Sequence, residues 1–375
     1  MNIGIISTTG NLYSWAGSEE TWRILATYAQ QQGHQLRLLL PEKVAQAQQT
    51  IALKREGAKI YVRSELNGIT RRLAEGGLYS RFKAFMSLPH DVIFVSTGGI
   101  ADCAWMPDLK RILVHTKIPL VYFIQSNAEG AISGEHIRQT SRSLFEHAAQ
   151  MIFLSQHNQS LAERQLAWKF DNTHIVMNPL REPVEAPLPW RLDHNTPLRF
   201  AEVARLEVAD KQQDHLLEAL SSPEWKTRNW TLTFFGSGAD EGHIRRLIQF
   251  YGLEDKVKIG GFVRDFREIW QEHHLHILPS RREGMPLALI ESMACGRPAL
   301  VTRAGGSPEL VDNNINGFIC PGMHPEVLRE TLERAWAMRN QWQTMGKAAA
   351  AKVQTVVPTD WASQILSILE NAAKK

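Results

Sequence analysis

Short apolar runs recur along the chain, separated by stretches of helical periodicity. In the first half they are "IGIIS" from Ile3, "LRLLL" from Leu36, "DVIFVS" from Asp91, "PLVYFI" from Pro119, "MIFLS" from Met151 and "HIVMN" from His174. None alternates strictly between apolar and polar, the pattern of strands buried on both faces of a parallel sheet. After the first run, "SEETWRILATYAQQQGH" sets Trp22, Leu25, Ala26 and Ala29 on one helical face. Ser18 is its expected N-cap and Gly33 its expected stop.

The pattern breaks at Asn178–Pro197, which carries five prolines and no periodicity, and reads as a linker. It restarts with "LRFAEVA" from Leu198, "LTFFGSG" from Leu232, "VKIGGFV" from Val257, "LHILPS" from Leu275, "PALVTRAGG" from Pro298 and "GFICPG" from Gly317. Two βα-alternating halves predict an α/β chain with two doubly wound, Rossmann-like domains facing a central cleft. The expected boundaries are 1–180 and 181–355, followed by an amphipathic C-terminal helix over 356–375 that could cross back to the first domain.

Composition narrows the function classes. A chain of 375 residues exceeds what one core usually supports, in agreement with two domains. A net charge of +3 argues against nucleic acid as the main partner. Cys103, Cys295 and Cys320 are widely spaced and form no C-x-x-C, so a reducing cytoplasm is the simple expectation. The N-terminus lacks the basic region of a signal peptide, and no apolar run reaches the length of a membrane span.

The segment "SRREGMPLALIESMACGRP" (Ser280–Pro298) holds Glu283 and Glu291 with seven residues between them, around a predicted helix begun by Pro286. First-turn amides would form an anion site, and a carboxylate on each side could accept hydrogen bonds from sugar hydroxyls. A buried helix with one incidental acid explains the same spacing. Arg205 follows a predicted strand and Lys211 precedes a predicted helix; they suit a leaving diphosphate, or are two solvated surface cations. "FFGSG" supplies Gly236 for close backbone approach to a nucleotide, although a plain turn also fits. Glu309, at a helix start, and the Asn316-Gly317 turn need only helix and turn chemistry. The loop after the first strand ends at Ala16-Gly17-Ser18, with Glu19 and Glu20 complementing the helix dipole. No D-x-D pair, Walker A, strand–GxGxxG–helix or G-x-S-x-G is present, and "HHLH" at His273–His276 leads directly into an apolar strand.

Taken in order, the Gly-containing first loop, "ARLEVADKQQD", "FFGSG", "LPSRREGMPLALIESMACGRPALVT", "GGSPELV" and "NGF" resemble the retaining, metal-independent glycosyltransferases of the group 1 type, with the GT-B fold. The resemblance implies transfer of a hexose from a UDP- or GDP-sugar to a hydroxyl acceptor, in cell-surface polysaccharide or glycolipid synthesis, with no cofactor or metal. Arg205, Lys211 and Glu283 would be catalytic. Gly17, Gly236, Met285, Pro286, Leu287, Ala288 and Glu291 would bind the donor, with Glu291 on the ribose and Glu283 on the sugar. Gln125 stands where many members carry a histidine; with Asn127 it is a candidate contact for donor sugar or acceptor. Departures include Ala204-Arg205 for Gly-Arg, Lys211-Gln212 for Lys-Gly and Ala16-Gly17 for Gly-Gly. Two further readings remain: a nucleotide-sugar epimerase or hydrolase of the same fold, and a non-enzymatic nucleotide- or glycan-binding member. The basic, amphipathic stretch Ile69–Leu88 could rest on anionic membrane, a peripheral placement at its inner face, or be a solvated helix.

Overall fold

The computed structural model describes residues 1–9, 15–63, 81–130, 133–191 and 196–374. The chain divides into two compact units. The first comprises Met1–Asn178 with Pro358–Lys375, and the second Pro179–Val357.

The first unit is a seven-stranded, wholly parallel sheet. Its strands are β1 (Asn2–Ser7), β2 (Gln35–Pro41), β3 (Lys59–Arg63), β4 (Val92–Thr97), β5 (Leu120–Ile124), β6 (Ala148–Phe153) and β7 (Thr173–Ile175), in the order β3-β2-β1-β4-β5-β6-β7. Strands β1, β4 and β5 are almost entirely buried, as their unbroken apolar runs require. The edge strand β3 was not among the sequence expectations. Its charged ends, Lys59 and Arg63, conceal a three-residue apolar centre. The helix Trp361–Ala373 buries Trp361, Ile365, Leu366, Leu369 and Ala372 and packs on the helix Gly17–Gln31 and on β4, β5 and β6. Within the basic stretch Ile69–Leu88, residues 69–80 lie outside the described residues. Residues 81–86 are helical, with Phe82 and Phe85 buried and Arg81 and Lys83 exposed.

The second unit holds β8 (Leu198–Val203), β9 (Trp230–Phe235), β10 (Val257–Gly261), β11 (Leu275–Leu278), β12 (Ala299–Thr302) and β13 (Gly317–Cys320). All pair parallel, in the order β10-β9-β8-β11-β12-β13. An aromatic cluster anchors its core: Phe200 stacks on Trp230 at 5.8 Å, and Trp225 and Trp342 meet Phe200 edge-on. Among the described residues no helix is long and apolar enough to cross a membrane.

In both sheets the strand order reverses beside the first strand of the unit, between β1 and β4 and between β8 and β11. Loops leaving the carboxyl ends of such strand pairs diverge and leave a crevice where ligands of open α/β sheets bind.

Candidate active site

In the second unit, the loops after β8 and β11 bring three of the predicted residues together. Arg205 leaves β8 and forms ion pairs with Glu207 at 2.6 Å and Asp210 at 3.6 Å. A short helix, Val208–Lys211, follows, and the Lys211 ammonium donates to Glu283 Oε1 at 2.6 Å. Both partners are about nine-tenths buried, with side chains 11% and 9% exposed. The backbone of the Glu283 loop is held from two sides. The Arg281 amide donates to the Asp210 carbonyl at 2.8 Å, and the Gly306 amide donates to the Gly284 carbonyl at 2.6 Å. A Cβ at Gly305 would come within 2.4 Å of the Glu283 carbonyl oxygen, so only glycine lets the β12 loop support Glu283 so closely.

Gly236 has a structural reason of its own. Its φ is +133°, and a Cβ there would stand 2.0 Å from the Ala204 carbonyl oxygen. The "FFGSG" turn therefore lies directly against the backbone that carries Arg205, and the amides of Ala204 and Leu206 donate to the carbonyls of Phe235 and Ser237. Gln212, standing where the family has glycine, adopts left-handed φ of 56° and is buried; its amide lies 2.9 Å from His215 Nδ1.

The helix after the Glu283 loop spans Leu287–Ala294, with Pro286 at the N-cap position rather than inside the first turn. Proline fits there because its preset φ suits a helix entry and no amide is lost. The amides of Leu287 and Ala288 open the helix, and first-turn amides lack an intrahelical acceptor. Met285 is buried just before them. Glu291, 2% exposed, accepts an ion-paired hydrogen bond from Arg181 Nε. Arg181 comes from the proline-rich segment, which the sequence presents only as a linker. Its guanidinium also lies 5.8 Å from the Phe266 ring centroid.

In the first unit, the expected N-cap Ser18 is displaced by Ala16. Glu19 explains the shift: its buried carboxylate accepts from the Ala16 amide at 3.1 Å, from Ser18 Oγ at 2.6 Å and from Thr9 Oγ1 at 2.6 Å. Gly17 thus opens the helix, and Glu19 ties the two ends of the first loop rather than merely complementing a dipole. Arg63, on the unforeseen β3, donates to the carbonyls of Ser7 and Thr8 at 3.2 and 3.1 Å. The Gln125 amide is engaged at both ends. It accepts from Thr21 Oγ1 at 3.1 Å and donates to Ser96 Oγ at 2.7 Å and the Ser18 carbonyl at 3.3 Å. Asn127 is buried, and its Nδ2 has no hydrogen-bond partner among the described residues.

The histidines of "HHLH" are packed as core residues. His273 Nδ1 lies 2.7 Å from the Ile269 carbonyl, and His276 Nδ1 lies 2.9 Å from Ser292 Oγ. Burial lowers their pKa values to about 4 and about 3. Among the described residues no three His, Cys, Asp or Glu side chains are grouped to hold a metal ion.

The chain is similar to known proteins in part of its sequence and in its fold. Residues 190–352 match the family described as "Glycosyl transferases group 1". The chain is 31% identical over 201 residues to the amylovoran biosynthesis glycosyltransferase AmsK of Erwinia amylovora, covering 51% of this chain and 49% of that one. It is 35% identical over 129 residues to the exopolysaccharide phosphotransferase SCO2592 of Streptomyces coelicolor, covering 34% of this chain and 14% of that one. The chain thus spans less than half the length of either relative. Its structure is similar to that of Anabaena Alr3699/HepE in complex with UDP and glucose, with a TM-score of 0.74, 19% identity and 99% coverage of both chains. The two sheets form the two Rossmann-like halves of a GT-B fold. The part of the chain that is similar to the group 1 glycosyl transferases, residues 190–352, lies within the second unit.

Proposed function

We propose that this protein transfers a hexose from a nucleoside diphosphate sugar to a hydroxyl acceptor in bacterial-type polysaccharide synthesis. The observation that carries the reading is the convergence of Arg205, Lys211 and Glu283 at the strand-order reversal of the second unit, beside the start of the helix Leu287–Ala294. A diphosphate placed there would meet two cations and the first-turn amides. The relatives support the reaction class: AmsK is named for amylovoran biosynthesis, and the similar Anabaena structure holds UDP and glucose. UDP is therefore the first donor nucleotide to test.

As the bond from sugar to diphosphate breaks, negative charge grows on the leaving oxygen. Arg205 and Lys211 would stabilise that charge. Glu283, which positions the Lys211 ammonium, would accept from donor-sugar hydroxyls, and Glu291 from the ribose, both while also facing a cation. The sugar passes through an oxocarbenium-like state. Retention is proposed by front-face attack: the departing phosphate takes the acceptor proton, and no protein carboxylate attacks. The reaction needs no metal on this reading, because fixed cations carry the charge that a divalent ion would otherwise offset. Gly17, which opens the first helix, remains a candidate donor-binding residue, and Asn127, whose Nδ2 has no hydrogen-bond partner among the described residues, a candidate contact for sugar or acceptor. Gln125 is committed to internal hydrogen bonds, and we assign it to holding that region in shape.

The test is a thermal-shift panel of UDP, GDP and their hexose derivatives, followed by turnover of whichever sugar nucleotide raises the melting temperature. Lys211→Ala and Arg205→Ala should each lower turnover by roughly 10²- to 10³-fold, the scale of removing one oriented transition-state donor. Unchanged turnover in both variants would remove the electrostatic basis of the mechanism. Product analysis without acceptor separates transfer from hydrolysis and epimerisation.

A further inference from the structure

Behind the Lys211–Glu283 pair lies an acid that this mechanism does not use. Glu202, next to last on β8, is 1% exposed. Its Oε1 accepts from Gln213 Nε2 at 2.9 Å, and Oε2 has no hydrogen-bond partner among the described residues. Gln213 is fully buried, and the same Nε2 donates to the Arg205 carbonyl at 2.9 Å. One amide therefore ties Glu202 to the backbone that carries Arg205.

The charges around Glu202 set its state. Lys211 is the nearby cation, but its ammonium is bonded to Glu283. Asp214, on the helix Gln213–Leu220, adds a second negative charge to that of Glu283. Across the sheet its register partner on β9 is Phe234, which brings no charge. Desolvation comes first among the causes that hold the Glu202 carboxyl well above the usual carboxylate range; Glu283 and Asp214 add to the rise, while Lys211 and Gln213 oppose it. A buried carboxylate with one oxygen unpaired is costly, and the protonated form removes that cost.

We propose that Glu202 is a positioning residue that works as a neutral acid: with Gln213 it fixes the Arg205 carbonyl, and by carrying no charge it leaves the Lys211 ammonium to Glu283 and the donor diphosphate. Ionised, it would add a third carboxylate around one lysine and repel the diphosphate. This rests on the proposed function for the identity of the anion, but not for the state of Glu202.

Two measurements on the full chain test it. The first is melting temperature against pH for the wild type and Glu202→Gln, without ligand. A carboxyl whose folded pKa is raised makes the fold less stable as pH climbs from the unfolded value of about 4.3 towards the folded one. The melting temperature of E202Q should therefore gain on the wild type as pH rises across that window. A pH-independent difference would overturn the neutral acid. The second is UDP affinity from pH 6 to pH 9. E202A should weaken binding at least tenfold at pH 7, and E202Q should restore most of it. The wild type should lose affinity with rising pH more steeply than E202Q. If E202Q binds UDP as poorly as E202A, or shares the wild-type pH profile, the positioning role is wrong. If neither UDP nor GDP binds any form, the proposed function and the positioning role fall together, and the melting series alone decides whether Glu202 is neutral.

Discussion

Arg297 shows how one side chain can hold a whole region. It is 1% exposed, and its guanidinium donates to the carbonyls of Trp270, His273, Leu188, Cys295, Gly296 and Pro189 at 2.8 to 3.3 Å. Burial lowers its pKa to about 10, so it remains charged at neutral pH. It fastens the proline-rich segment to the C-terminal ends of the helices Leu287–Ala294 and Phe266–Glu272. Arg297→Met should cost on the order of 3 kcal/mol or more, because several buried carbonyls lose their donor. Arg297→Lys should recover only part of that, since one ammonium cannot reproduce a planar fork. Urea unfolding measures both, and equal stability of the two variants would contradict the forked role. In the sequence, Gly296-Arg297-Pro298 reads as a helix stop. Glu202, Arg181 and Arg63 were equally hidden, because their significance depends on partners that are remote in sequence. Arg205, Lys211, Glu283 and Gly236 were singled out through motifs that resemble a family, and the structure sets the first three on the loops after β8 and β11 and Gly236 against the backbone that carries Arg205.

At the level of elements, the apolar runs located all six strands of the second unit and six of the seven in the first. Strand β3 escaped because an edge strand needs only a short apolar centre between charged ends. The first helix begins two residues earlier than expected, with Ala16 rather than Ser18 at the N-cap, since Glu19 supplies the cap from inside the helix. The helix Trp361–Ala373 was legible as amphipathic, and its buried face covers the first unit. Trp361 meets Phe123 of β5 at 6.1 Å. Leu369, fully buried there, provides the test: Leu369→Ala should destabilise the protein by about 2–5 kcal/mol. Amide exchange should rise in the helix Gly17–Gln31 and in β4 more than in β8 or β9. A uniform rise, or one confined to the second unit, would contradict this packing.

For the whole molecule, acid is the expected weakness. His273 and His276 are buried and neutral, with folded pKa values of about 4 and about 3 against an ordinary 6.5. Groups whose folded pKa is depressed give stability that is complete above about pH 6.5 and is lost as pH falls towards the folded values. For His273 the loss is on the order of 3 kcal/mol. The melting temperature should fall between pH 6.5 and pH 4, and His273→Gln should flatten that slope. Identical acid profiles would show that His273 titrates freely. Glu202 tilts the curve the other way at higher pH, so greatest stability should lie between the two limbs.

The helix Trp361–Ala373 has one more consequence. It belongs to the first unit although the entire second unit, Pro179–Val357, intervenes in the chain. During synthesis the first sheet emerges early, but the apolar face that this helix covers must wait for roughly 180 more residues. At a translation rate of about 5–20 residues per second, the wait is on the order of ten to forty seconds. The second unit, continuous in sequence, can finish folding first. Of the two units, the one whose sheet is made first is completed last, and for that interval its uncovered helix seat is the surface a chaperone would meet.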